Sequence, residues 1–299
     1  MTNLTKMHNR ILSNTILIMF WLGCAQHIFG QQKVIQLYNG HAPGSENWNW
    51  EEKTFFIKTP LNANVACNVT KPTLTVFSPE KANGISVVIF PGGGLRVLNV
   101  ETEGSFVAKE LIKKGFTVFL LKYRLVQTHT DDPWQETLNS LKDTSQLKSD
   151  NNARVMKLAS QDAIHAIRYV RAHANEYKID SNKVGALGFS AGGGLVQYLS
   201  LEADSSARPN FSGFIYSVYR QKVINSNAPP AFIACATDDV LAFSTNSTNL
   251  YNAWVAAKNS AELHVYKSGG HGLRGFPASS WIQRYIEWIF GVVLQKTKQ

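Results

Sequence analysis

The sequence predicts an α/β domain in which a mostly parallel central sheet is flanked by helices on both faces, a three-layer sandwich. Three observations carry that expectation. Short β-rich runs alternate with longer stretches of helical periodicity, which implies parallel neighbours joined by right-handed crossovers. The chain has 299 residues, 44% of them hydrophobic, enough to bury a substantial core. No repeat, low-complexity tract or Gly/Pro/Ser-rich linker interrupts residues 31–299, which read as one domain.

Residues 31–79 read as an extended lead-in of β pieces, antiparallel strands on the sheet edge. "ISVVIF" (85–90) is rich in β-branched residues and ends at Pro91, as a buried strand does. "EGSFVAKELIKKG" (103–115) has apolar residues at helical spacing and stops at a glycine. "FTVFLLKYRL" (116–125) is the next strand, and residues 159–177 form a long amphipathic helix. Then follow strand "KVGALGF" (183–189), a helix from Ser190, strands "FSGFIYSV" (211–218) and "AFIACA" (231–236), a helix over 247–258, strand "AELHVYKS" (261–268) and a closing helix from about Ser280. Residues 126–157 break the rhythm: they are polar and weakly patterned, and a connection that long suggests a functional loop, a small cap or a mobile excursion, a place where substrate selection could sit.

The first thirty residues read as a segment separate from the domain. Lys6 and Arg10 precede an apolar stretch that Ser13, Asn14 and Thr15 interrupt, so it resembles a secretory signal cut near Gly30 more than a membrane span. Lipid attachment at Cys24 and an uncleaved N-terminal anchor are the alternatives, and each places the domain outside the cytoplasm. The formal charge is +9, but its basic residues are scattered and form no patch interleaved with aromatics, which argues against nucleic-acid binding. Cys67 and Cys235 remain after removal of the leader. Cys235 sits in an apolar strand, where a buried unpaired thiol is the expectation. No CxxC, HExxH or clustered His/Cys spacing suggests a metal site, and no cofactor is expected.

The chemistry is read from "GALGFSAGGG" (185–194). Gly188, Ser190 and Gly192 make a G-x-S-x-G pattern between a strand and a helix, the context in which a serine nucleophile stands on a sharp turn. A lone hydroxyl attacks poorly without a base, so a histidine held by a carboxylate should follow later in the chain. His271 in "KSGGHGLRG" follows the last strand and is flanked by glycines; the other seven histidines fall in the leader, in a helix, within a strand or before Ser190. The acid is expected from "TDDVLAF" (237–243), where Asp238 and Asp239 are adjacent and local sequence does not separate them. Pro91-Gly92-Gly93-Gly94 ends a buried strand, where backbone N–H groups of Gly93 or Gly94 would join that of Ala191 in an oxyanion hole.

These segments, together with "LYNGHAPGS", "VTKPTLTVFSPEKANGISVVIFPGGG" and "DAIHAIRYVRAHA", resemble secreted α/β-hydrolase esterases of the acetylxylan-esterase and feruloyl-esterase type. The resemblance implies the α/β-hydrolase fold and removal of acetyl groups from xylan or related polysaccharides. It also implies that the second aspartate of a D-D-x-x-V-P segment is catalytic, which maps to Asp239, although Val240-Leu241-Ala242-Phe243 departs from that continuation. A serine peptidase of the prolyl-oligopeptidase type, a general small-ester carboxylesterase and a non-catalytic binding protein are the competing readings. Tyr123, Tyr216, Tyr219, Trp134 and Trp281 are candidates to stack on sugar rings, or else belong to the core.

Overall fold

A computed structural model of the chain describes residues 32–219, 223–241, 243–274 and 279–295. The leader, with Cys24 and the expected cleavage point, lies outside the described residues. The fold is that of the unit Lys33–Gln299.

An eight-stranded sheet runs β1 (Val34–Gln36), β4 (Thr73–Phe77), β7 (Thr117–Lys122), β5 (Gly84–Phe90), β8 (Ile179–Phe189), β9 (Phe211–Ile215), β10 (Ala231–Ala236) and β11 (Ala261–Tyr266), in that spatial order. From β7 to β11 all neighbours are parallel, while β1 and β4 add antiparallel pairs at one edge. The lead-in thus supplies two edge strands. Its other strands, β2 (Lys53–Ile57) and β3 (Ala63–Cys67), join β6 (Val97–Leu98) in a separate three-stranded sheet.

Alternation along the central strands divides the core into two layers. On one face Val88 and Phe90 of β5, with Phe119 and Leu121 of β7, pack under α4 (Asp150–Ala172), α5 (Ala191–Leu201) and α6 (Phe243–Ala256). On the other, Val87 and Ile89, with Val118 and Leu120, pack under α1 (Phe106–Ile112) and α7 (Ser279–Gln295). Cys67 and Cys235 are buried and free. Among the described residues no helix is long and apolar enough to cross a membrane.

The stretch 126–157 is helical for most of its length, not a polar loop. It contains α2 (Pro133–Lys142), the short α3 (Thr144–Leu147) and the first turns of α4, which starts at Asp150 and not near Ala159. Asp132 caps α2 by accepting from the Gln135 amide at 2.8 Å, and Pro133 occupies the first turn, where its missing N–H leaves no gap in the hydrogen bonding. The polar residues that hid this helix lie on its outer side, while Pro133, Thr137 and Ser140 are buried.

A buried ion pair ties three segments together: the chain after β7, α4 and residues 38–45. Arg124, just after β7, and Asp162 of α4 are both fully buried and meet at 2.7 Å. All the guanidinium N–H groups have acceptors: Asp162, Pro43 O, Ser45 Oγ and Leu158 O. Tyr38 donates to Asp162 at 2.9 Å and lies under the guanidinium, so the segment 38–45 is fastened to the main sheet. Such saturation is what makes a buried charge pair tolerable in a low-dielectric interior.

Candidate active site

Ser190 stands between the end of β8 and the start of α5 with φ +48° and ψ −116°. That left-handed conformation is disfavoured for a residue with a side chain, and its neighbours explain how it is accommodated. A Cβ on Gly188 would lie 2.6 Å from Gly192 O, and one on Gly192 would lie 2.1 Å from Phe90 O. The turn therefore closes only with bare backbone on both sides of the serine.

The structure brings the three predicted side chains into one hydrogen-bonded chain. Ser190 Oγ is 3.0 Å from His271 Nε2, and His271 Nδ1 is 2.9 Å from Asp239 Oδ2. His271 follows β11 and Asp239 follows β10, so each residue sits beyond the carboxyl end of a different strand. The two adjacent aspartates are separated by what they face. Asp239 is shut away from solvent, and its other oxygen accepts from the Leu241 amide at 2.9 Å. Asp238 instead accepts from the amides of Gly269 and Gly270, at 3.2 and 2.7 Å, and so shapes the loop that carries the histidine. The Tyr216 ring meets the imidazole edge-on, 4.8 Å between centroids.

The glycine loop lies beside the serine, since a Cβ on Gly92 would come within 2.9 Å of Ser190 Cβ. Gly93 and Gly94 line the same cavity as Ser190, and their backbone N–H groups donate to no acceptor among the described residues. As the first residue of α5, Ala191 has an N–H with no intrahelical acceptor. These three N–H groups are thus left beside Ser190 without a protein acceptor among the described residues.

Sequence reasoning missed Glu103. Its carboxyl accepts from the Gly92 amide at 2.5 Å and from Tyr216 OH at 3.0 Å, linking the glycine loop to the tyrosine against His271. Desolvation pushes this carboxyl above its ordinary range, only partly opposed by the Gly92 amide and the nearby His271. No motif marks it, because it gains its role through tertiary contact from a single turn of π-helix (Val100–Ser105) that precedes α1. A group whose folded pKa is raised contributes its full stability below the unfolded pKa of about 4.3 and loses it as pH rises through the folded value. Glu103→Gln should remove that loss. In urea titrations from pH 4 to 8 the variant is expected to gain on the wild type as pH rises, and parallel curves would show that the fold leaves this carboxyl unshifted.

Two cavities open on Ser190. One, of about 280 Å³, is walled by Trp134, Leu138 and Leu141 of α2, by Leu61 from the loop between β2 and β3, and by Leu241. The other, of about 490 Å³, is bounded by Gly94, Ala191, Val218, Lys148 and Asn152. Of the aromatic residues singled out as sugar-stacking candidates, only Trp134 lines the serine cleft; Trp281 packs on Phe189, and Tyr123 and Tyr216 are buried. Tyr219 is partly buried against the core layer that contains Val88 and Phe90.

Comparison with known proteins agrees with this architecture. The family model BD-FAE matches residues 149–221, which include α4, the serine turn, α5 and β9. An acetylxylan esterase of Xylanibacter ruminicola is 29% identical over 246 residues, 71% of this chain and 45% of that protein. Endo-1,4-beta-xylanase B of Butyrivibrio fibrisolvens is 24% identical over 226 residues, 62% of this chain and 32% of that protein. The chain therefore spans less than half the length of these curated relatives. Among solved structures, an acetyl ester-xyloside bifunctional hydrolase from Caldicellulosiruptor lactoaceticus superposes with TM-score 0.60 at 21% identity, covering 90% of this chain and 98% of that one. An α/β hydrolase from a deep-sea metagenome library gives TM-score 0.58 at 21% identity, covering 74% and 92%.

Proposed function

For a chain with the α/β-hydrolase fold, we propose that Ser190, His271 and Asp239 act as the triad of a serine esterase that removes acetyl groups from xylan or a related polysaccharide. The observation that carries the reading is the continuous hydrogen-bonded path from Ser190 Oγ through both ring nitrogens of His271 to Asp239. The acetylxylan esterase relative supports the choice of acyl group and carrier.

In this mechanism His271 Nε2 takes the proton of Ser190 as Oγ attacks the ester carbonyl. Asp239 holds the imidazole with Nδ1–H toward the carboxylate and stabilises the imidazolium that forms. Negative charge gathers on the former carbonyl oxygen and is met by the amides of Ala191 and of Gly93 or Gly94; one such donor is worth on the order of 3 kcal/mol in the transition state. His271 then gives its proton to the departing sugar oxygen. The acyl group stays on Ser190 until water, activated by the same imidazole, releases it. The 280 Å³ cleft with its leucine and tryptophan walls suits the acyl group, and the 490 Å³ cavity beside it suits the alcohol. Read with the leader of residues 1–30, the domain would act outside the cytoplasm.

The test is to mix the purified protein with 4-nitrophenyl acetate, quench within the first turnover and map the label by peptide mass spectrometry, alongside acetate release from acetylated xylan. An acetyl group on the peptide holding Ser190, with acetate released from the polymer, is expected. Turnover without a label at Ser190 would remove the mechanism, and a label without polymer deacetylation would move the substrate elsewhere.

A further inference from the structure

A third cavity, of about 550 Å³, lies on the other side of α2 from the serine cleft. The helix separates the two: Trp134, Leu138 and Leu141 face Ser190, whereas Glu136, Asn139 and Ser140 line the third cavity. Its remaining walls include Trp48, Trp50, Arg96 and Arg154. Nothing in the esterase mechanism uses it.

The charge in this cavity is unbalanced. Arg96 is only 6% exposed, and its guanidinium donates to two neutral amide oxygens, Asn152 Oδ1 at 3.3 Å and Gln146 Oε1 at 3.4 Å, both long. Among the described residues no carboxylate reaches it within ion-pair distance, in contrast with the saturated Arg124. Burial lowers its pKa, opposed by the charge of Glu136 across the same cavity. Arg154 donates to Gly44 O at 2.8 Å and lies over the Trp48 ring, also without a carboxylate partner among the described residues. Glu136 is already engaged, since one of its oxygens accepts from the His129 amide and from the Thr130 amide and hydroxyl. Two guanidinium groups, Arg96 and Arg154, against the one carboxylate of Glu136 leave a surplus of positive charge in the lining.

A buried cation held only by long contacts to neutral groups is costly unless an anion completes it. A monoanion balances the surplus and a phosphate dianion overshoots it, which favours a carboxylate. The other lining groups suit a polyhydroxylated ring: Gln127, Asn139 and Asn151 offer side-chain amides that both donate and accept, and the Trp48–Trp50 pair, 4.7 Å between centroids, offers indole surface.

We propose that this cavity binds a carboxylate-bearing saccharide, a uronic-acid unit, through Arg96 and Arg154. The site is distinct from Ser190 yet adjoins it, because Asn152 lines the 490 Å³ cavity at the serine and accepts from Arg96. An acidic sugar held there would place a neighbouring part of its chain toward the serine. The binding itself does not depend on hydrolysis.

The test is calorimetry and ligand-observed NMR on the purified protein with glucuronate, its neutral isostere glucuronamide, glucose and acetate as probes. Glucuronate is expected to bind at least about tenfold more tightly than each of the other three, because the charge-assisted bonds and the ring contacts are both needed. Affinity should fall with added salt. Arg154→Gln, at an exposed position, and Arg96→Met should each weaken glucuronate about fivefold or more, the first remaining informative if the second fails to fold. Ser190→Ala should bind glucuronate as the wild type does, so the site can stand even if the esterase reading falls. Equal affinity for glucuronate and glucuronamide, acetate binding as tightly as glucuronate, or indifference to Arg154→Gln would overturn the proposal. So would loss of glucuronate binding once Ser190 is blocked by a small organophosphate, which would place the ligand in the serine cleft.

Discussion

Ser190→Ala is expected to lower kcat/KM for 4-nitrophenyl acetate by about a hundred-thousandfold while leaving the thermal unfolding midpoint within a few degrees of wild type. The residual rate would come from the oxyanion donors and from binding alone. The same assay separates the two aspartates. Asp239→Asn should cost about ten-thousandfold, because an amide facing Nδ1 turns the imidazole to the wrong tautomer and removes the charge that stabilises the imidazolium. Asp238→Asn keeps an oxygen able to accept from the Gly270 amide, so its loss should stay within about tenfold. A reversed order of the two would mean that the loop after β10 rearranges in the working enzyme and that Asp238 is the acid.

The second large effect is on stability. Asp162→Ala leaves the Arg124 guanidinium fully buried without its counter-ion and should destabilise the domain by about 3–5 kcal/mol in urea unfolding. The double variant Arg124→Met/Asp162→Leu should recover most of that, since it removes both charges together. If the double variant is as unstable as the single one, the pair's value lies in the other contacts of Arg124, above all those to Pro43 and Ser45 that hold the lead-in segment.

Much of this was legible in the sequence because it is local. The serine turn needs bare neighbours at fixed offsets, so Gly188 and Gly192 announce it. His271 is found by chain order and by its glycine flanks, and the strands by their apolar runs. The choice between Asp238 and Asp239 was not local: both sit on one loop, and packing decides which carboxyl enters the interior and which meets the amides of Gly269 and Gly270. Helix α2 was hidden by its polar outer side, although Asp132, Pro133 and the spacing of Trp134, Leu138 and Leu141 are a legible start and apolar stripe. Glu103 and Arg96 carry no sequence signature, because what distinguishes each is a partner, or the lack of one, that only the folded chain supplies.

The sheet order has a consequence for how this chain becomes competent. Ser190 rises from β8, in the middle of the sheet, but its partner His271 is 81 residues away along the chain and follows β11, the outermost strand beyond β10. Closing so long a loop is slow relative to forming the neighbouring helices, and an edge strand docks only on a neighbour already in place. The serine turn can therefore be complete while the base is still absent. If these residues act as proposed, a chain in which β11 has not docked on β10 would hold a shaped serine turn without its base, and would hydrolyse nothing until that strand settles.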